Sequence, residues 1–213
     1  RSVRRWAGVR DSAALFEFSQ SSNLFVVVTI GSPGERIAEI IDLNTGITKA
    51  RVPAANVTSL LFDPGGKRLA LAGAELAVWR LADTNKTWSA PLSHEASALA
   101  WSPDGALLAV ALERRKPLGQ NEMAKACPVL LFDGSSGLEK SVFGQFGSRV
   151  ARMSFHPNGE WLAVATWDDA LTCGSTVWEN ARFSAEGAHR ALRFSCDGSR
   201  VGYAPTRGEL GLM

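Results

Sequence analysis

Side chains able to do acid, base, nucleophilic or metal chemistry are sparse in this 213-residue chain. Its 3 histidines, His94, His156 and His189, each lack a second His, a Cys or a carboxylate at a spacing that neighbouring strands would bring onto one metal ion. Its 3 cysteines, Cys127, Cys173 and Cys196, are unevenly spaced and form no C-x-x-C pair. An odd, sparse set argues against a disulfide framework, so all three are expected as free thiols in a reducing, cytoplasmic setting. Trp167-Asp168-Asp169 places two carboxylates beside an aromatic ring. Adjacent residues point to opposite sides of a strand or splay in a loop, which makes this a turn rather than a metal or catalytic pair. The glycine-rich stretches "GSPGE", "PGGK" and "FGQFGS" are not followed by a helical pattern whose N-terminus would hold phosphate. No G-x-S-x-G elbow presents a nucleophile. These residues predict no catalytic centre, no metal and no cofactor.

Composition narrows the partners further. With 46% hydrophobic and 21% charged residues, the chain falls among globular rather than disordered proteins. A net charge of +2 provides no field that would gather nucleic acid or an anionic membrane, and no basic stripe interleaves with aromatics. The basic start "RSVRRWAGVR" reads as a solvated strand end or a linker remnant rather than a binding arm. The longest apolar run, "NLFVVVTIG", has the length of a strand and falls well short of the ~18 residues a membrane helix needs. The chain begins with neither Met nor a cleavable leader, so any targeting signal is expected to be absent or already removed.

The elements that must position these residues are set by a repeat. An aromatic followed by a polar turn and an apolar run recurs five times: "FEFSQSSNLFVVV", "LLFDPGGKRLALA", "LAWSPDGALLAVA", "MSFHPNGEWLAVA" and "LRFSCDGSRVGYA". The anchors Phe18, Phe62, Trp101, Phe155 and Phe194 are 44, 39, 54 and 39 residues apart. In each copy alternating apolar residues end at the aromatic. Pro then presets φ, Asp or Asn caps its own backbone, and Gly accepts positive φ, which makes a hairpin. The first copy, with "SQSS", has neither Pro nor Gly and predicts a looser turn. The second run, such as "LLAVAL", reads as a strand buried on both faces, and a third ends at Ile41-Asp42, Trp79-Arg80, Phe132-Asp133 and Trp178-Glu179. Four strands per unit of about 40 residues, with no helical periodicity, predict an all-β fold of propeller blades. The expected core includes Phe18, Leu69, Trp101, Leu108, Phe155, Leu162 and Phe194.

On these residues the chain resembles the WD-repeat β-propeller family, whose blades carry an F-S-P-D-G turn and a closing W-D. The resemblance covers about residues 13–213, with "WSPDG" and "FHPNG" as the nearest copies. Only Trp79 and Trp178 keep the closing tryptophan, and neither is followed by Asp. In the family a His, a Ser or Thr, a turn Asp and the Trp form a buried polar network. Here His94 stands nearer to Trp101 than the family places it, and the fourth unit has Thr166, Asp168 and Trp178 but Gln145 near the histidine position. No unit has the full set, which implies blades held more by apolar packing. The phrase "VWRLAD" and the ending "RVGYAPTRGELGLM" are similar to propeller regions of large bacterial multidomain signalling proteins, some with a kinase domain, although no kinase motif is present.

The resemblance implies blades at about 13–52, 57–91, 97–143 and 149–184 and a truncated fifth at 189–213, with 2–9 as the outer strand of a preceding or ring-closing blade. Residues 2–9 would complete the fifth blade and close a five-bladed ring, or the five blades are an arc of a larger ring. A start without Met and a stop within a blade favour the larger ring.

On such a scaffold function resides in loops. The expected role is a non-catalytic platform that binds a protein or peptide within a larger polypeptide. The alternative is an accessory domain beside a hydrolase or kinase whose catalytic residues lie elsewhere. Contacts are expected where the strand-two-to-three and strand-four-to-one loops emerge. The longest interval carries an insertion, "ERRKPLGQNEMAKACP" at 113–128, where Arg114, Arg115, Lys116 and Lys125 outnumber Glu113 and Glu122 and Met123 offers an apolar anchor. With His94, Glu95, Arg149 and Trp167 from neighbouring loops, these residues are the candidate contacts for an acidic peptide or protein patch.

Overall fold

The computed structural model describes residues 15–30, 35–113, 127–168, 170–176, 182–186, 191–204 and 211–212, and every regular element among them is a β-strand. Short apolar runs closed by Pro, Asp, Asn or Gly fold straight back, so each strand pairs antiparallel with the next and strand order in space follows strand order in the chain. The first sheet holds β1 (Phe16–Phe18), β2 (Leu24–Ile30), β3 (Arg36–Asp42) and β4 (Thr48–Pro53). The second holds β5 (Ser59–Phe62), β6 (Arg68–Ala72), β7 (Glu75–Arg80) and β8 (Asn85–Pro91). The third holds β9 (Glu95–Trp101), β10 (Leu107–Glu113), β11 (Cys127–Asp133) and β12 (Glu139–Phe146). The fourth holds β13 (Val150–Phe155), β14 (Trp161–Thr166), β15 (Ala170–Ser175) and β16 (Arg182–Glu186). Three strands make the fifth: β17 (Ala191–Phe194), β18 (Val201–Ala204) and β19 (Gly211–Leu212).

The polar turns between first and second strands follow one plan. Asp63 accepts hydrogen bonds from the N–H groups of Lys67 at 2.8 Å and Arg68 at 2.7 Å. Ser102 donates to Asp104 at 2.6 Å, and Ser195 donates to Asp197 at the same distance. Gly105 and Gly198 complete their turns at φ of 69° and 73°, in the left-handed region that other residues avoid. Packing demands these two glycines a second time. A Cβ on Gly105 would overlap the Arg68 guanidinium, and one on Gly198 the His156 ring, because each turn nests on the turn of the sheet before it. In the first sheet, which has no turn glycine, Ser19 Oγ accepts from both the N–H and the hydroxyl of Ser22, at 3.2 and 2.7 Å.

Period-2 alternation turns each second strand into a two-sided wedge. Leu69 and Leu71 of β6 pack against the first sheet, while Ala70 and Ala72 face the third. Leu108, Val110 and Leu112 of β10 pack against the second sheet, and Ala109 and Ala111 face the fourth. Leu162 and Val164 of β14 pack against the third, and Ala163 and Ala165 face the fifth. The small side leaves room for the anchor aromatic of the next sheet: Trp101 sits with Ala70 and Ala72, Phe155 with Ala109 and Ala111, and Phe194 with Ala163 and Ala165.

Leu69, Trp101, Leu108, Phe155 and Leu162 are buried, as expected, and Phe194 is half-buried. Phe18 departs from expectation, with 51% of its surface exposed. It occupies the anchor position of the first sheet, and no described sheet lies over that face. The insertion is also shorter than read from sequence. Glu113 ends β10, while Cys127 and Pro128 begin β11 and pair with Phe146 and Gln145 of β12. A proline is tolerated near the start of a strand, where one fewer ladder N–H is required. The expected strand end at Trp178-Glu179 lies outside the described residues, as does the segment 2–9.

The first strands of all five sheets line one cavity of about 1170 Å³. Its lining includes the apolar Leu61, Leu99 and Ala100 and the polar Glu17, Arg152, Ser154 and Arg193. Burial pushes the Glu17 carboxyl above its ordinary range, against the opposing pull of Arg193 and Arg152.

Candidate functional site

The face formed by the strand-two-to-three and strand-four-to-one connections gathers four of the expected contacts. Glu95 opens β9 directly across the ladder from Glu113 at the end of β10. The Glu113 carboxylate accepts an ion pair from Arg149 Nε at 3.3 Å. Arg149 precedes β13, and its carbonyl accepts the N–H of Trp167 at 2.9 Å, which ties the loop before the fourth sheet to the turn after β14. The same guanidinium lies 5.5 Å from the Trp167 ring centroid, within cation–π range. Trp167 is nevertheless 66% exposed. Glu113, Arg149 and Trp167 therefore form one connected patch: a flat aromatic surface whose orientation is held by an ion-paired arginine.

Beneath it, Thr166 is buried and donates to Asp168 at 2.5 Å, so the fourth sheet retains two members of the family's polar network. Asp168 faces that hydroxyl in the turn after β14, and Asp169, the second carboxylate of the sequence triplet, lies outside the described residues. His94 lies beside Glu95, with Nδ1 3.0 Å from Ser93 Oγ. Arg114, Arg115, Lys116, Met123 and Lys125 lie outside the described residues. Among the described residues no three His, Cys, Asp or Glu side chains gather where a metal ion could sit. Nor is any helix among them long and apolar enough to cross a membrane.

The opposite face carries polar staples that sequence reasoning did not single out. Arg68 stands where Leu24, Leu107 and Trp161 stand in other units. Its guanidinium donates to Asp63 at 3.0 Å, to the Gly134 carbonyl at 2.7 Å and to the Gly105 carbonyl at 3.1 Å, and it covers the Trp101 ring at 4.7 Å. One side chain of the second sheet thus holds two turns of the third. Trp88 Nε1 donates to the same Gly134 carbonyl at 3.2 Å. His156 plays the equivalent part between the fourth and fifth sheets. Its Nε2–H donates to the Gly198 carbonyl at 3.1 Å, and its ring meets Phe194 edge-on at 5.0 Å. A histidine where the other units have Ser or Asp was the available signal.

Two turns between third and fourth strands are charge-clamped copies of each other. Asp42 accepts the N–H groups of Asn44 and Thr45 and pairs with Lys49 at 2.7 Å. Asp133 accepts those of Ser135 and Ser136 and pairs with Lys140 at 3.0 Å. The Lys49 contact and the two amides pull the Asp42 carboxyl down to about 2. The Ser136 amide and Lys140 hold Asp133 well below the usual carboxylate range.

Known proteins share this organisation. A family model described as "WD domain, G-beta repeat" matches residues 138–172, which run from the outer strand of the third sheet into the third strand of the fourth. Pre-mRNA-processing factor 19 of Schizosaccharomyces pombe is 27% identical over 160 residues, covering 75% of this chain and 27% of its own length. The solved complex of KlAtg21 with the coiled-coil of AgAtg16 superposes with a TM-score of 0.73 at 13% identity, over 93% of this chain and 65% of the matched one. This chain thus spans about a quarter of the curated relative and just under two thirds of the solved chain. The repeat carried by the residues, the stacked sheets it folds into and the family model lying across two of them agree: residues 138–172 match a WD-type repeat, and the chain as a whole is similar to the WD-repeat β-propeller proteins.

Proposed function

We propose that this chain is a non-catalytic interaction platform that captures a protein or peptide on the face holding Glu95, Glu113, Arg149 and Trp167. WD-repeat domains generally mediate contacts between proteins. The observation that carries the reading is Trp167, a large aromatic that is 66% exposed yet fixed in place by the Arg149 guanidinium. Rigid, exposed aromatic surface beside arginine is the composition that dominates interface energetics. His94 borders this patch. Arg114, Arg115, Lys116, Met123 and Lys125 belong to the connection between Glu113 at the end of β10 and Cys127 at the start of β11. Four basic side chains there favour an acidic segment on the partner, with Met123 as apolar anchor.

The test is partner capture from native extract by crosslinking, comparing the parent with Trp167→Ala, Arg149→Glu and the double reversal Arg114→Glu with Arg115→Glu. Each variant is expected to lose at least tenfold in capture. Melting temperature should change by no more than about 2 °C for the loop reversal, because exposed loop charges contribute little to folding. Undiminished capture by all three variants would remove this face from consideration.

A further inference from the structure

The register of the first strands sets one level of side chains around the central cavity of about 1170 Å³. The residue just before each anchor aromatic is Glu17, Leu61, Ala100, Ser154 or Arg193, and all five line that cavity. Two positions before Ser154, on the same face of β13, Arg152 lines it as well. The first, fourth and fifth sheets therefore bring one carboxyl and two guanidiniums to a common space. Burial favours the neutral form of Glu17, and Arg193 and Arg152 pull the other way through space, with no hydrogen bond joining either of them to it.

The donors of this cluster are left in surplus. Arg152 Nη1 reaches only the carbonyl of its own neighbour Ala151, at 2.8 Å. The other ionisable groups of the lining do not offset the two guanidiniums, because Asp63 is already paired with Arg68 at 3.0 Å and Cys196 is a free thiol. With Glu17 neutral, both positive charges stand without a counter-charge. Trp101 adds a further donor to the lining: it is 7% exposed, and its buried Nε1 has no hydrogen-bond partner among the described residues. A buried donor without an acceptor is costly, and at this level the short side chains of Ala100 and Ser154 leave room for a ligand to supply acceptors.

We propose that the central cavity binds a small dianion, a diphosphate or a dicarboxylate, held by the guanidiniums of Arg152 and Arg193 and gated by Glu17. Guanidinium forks match the paired oxygens of phosphate and carboxylate, and the space is that of a small-ligand site. As the neutral acid, Glu17 donates its O–H to a ligand oxygen. Once ionised, it repels the ligand and competes for both arginines. Anion affinity is therefore highest while Glu17 is protonated and falls as pH rises through its titration.

Isothermal titration calorimetry of the full chain with inorganic pyrophosphate and with succinate tests the site, while circular dichroism checks that each variant is folded. At least one probe is expected to bind, and which one binds more tightly assigns phosphate or carboxylate as the acidic group. The double variant Arg152→Gln with Arg193→Gln should weaken binding by about tenfold or more. Glu17→Gln should strengthen it by about threefold or more near pH 8 and by less near pH 5, where the parent carboxyl takes up a proton. That gain is a result that misfolding cannot produce, so Glu17→Gln decides alone if the arginine variant unfolds. Absence of binding by both probes overturns the proposal. So does binding that survives loss of both arginines, or a Glu17→Gln variant that binds no more tightly than the parent at either pH.

Discussion

Gly198 and His156 show how one contact carries both backbone and packing requirements. The glycine adopts φ of 73°, and the imidazole of the preceding sheet lies against its Cα while donating to its carbonyl. Gly198→Ala therefore meets two penalties, positive φ and overlap with the ring. The substitution is expected to cost about 2–4 kcal/mol, of which about 1–2 is the backbone part. In a His156→Ala background the overlap vanishes and the cost should fall to the backbone part alone, a coupling that urea denaturation of the four variants would measure. Equal costs in both backgrounds would mean that the ring does not constrain the turn. Asp42 supports a second expectation. Its folded-state value of about 2 lies below the ordinary carboxylate range, because Lys49 and two backbone N–H groups favour the charged form. A depressed carboxylate stabilises the fold above its unfolded value and loses that contribution as pH falls through the folded one. The stabilisation should be complete at pH 7 and disappear between about pH 4 and pH 2. Asp42→Asn should lower the melting temperature at pH 7 and narrow its gap to the parent at pH 2, as followed by circular dichroism.

At the level of the strand, the wedge formed by the second strand explains why the second, third and fourth copies share the phrase "LALA" or "LAVA". Large residues fill the space towards the preceding sheet, and alanines make room for the next anchor aromatic. Ala163 and Leu162 are neighbours in sequence and both fully buried, yet opposite changes should harm them. Ala163→Leu overpacks the layer that holds Phe194 and should cost about 1–3 kcal/mol. Leu162→Ala empties the layer shared with the third sheet and should cost about 2–5 kcal/mol. Chemical denaturation of the two variants checks both magnitudes. A neutral Ala163→Leu would show that the fourth layer is too loose to discriminate. Anchor, turn and wedge were all legible in the residues, since alternation and turn chemistry are local. Arg68 was not. Its partners Gly105 and Gly134 belong to the next sheet, and only stacking brings them within reach.

For the molecule as a whole, stability is a sum over neighbouring layers rather than a single central core. The anchor aromatics are chemically alike but should not be energetically alike. Phe155→Ala, inside the layer between third and fourth sheets, should cost about 3–5 kcal/mol. Phe18→Ala, with 51% of its surface exposed, should cost less than about 1 kcal/mol in the 213-residue chain. Comparable losses in urea unfolding would show that the first sheet is covered in that chain too. The same additive architecture leaves the loop face free to vary, which is why Trp167 can stay exposed without loss to the fold.

The residues by themselves determined the strands, their turns, the repeat and the family resemblance, because each of these rests on interactions between neighbouring positions of the chain. They also determined that Trp167 falls in a turn. Only the tertiary structure decided that Phe18 lies open while Phe62, Trp101 and Phe155 are closed, since burial depends on whether another sheet lies across the face and not on the strand that bears the ring. It alone joined Glu113, Arg149 and Trp167, which come from three separate connections of two sheets. Side chains that meet across a stack carry no mark of it in local sequence, because the distance between them is set by how whole sheets pack.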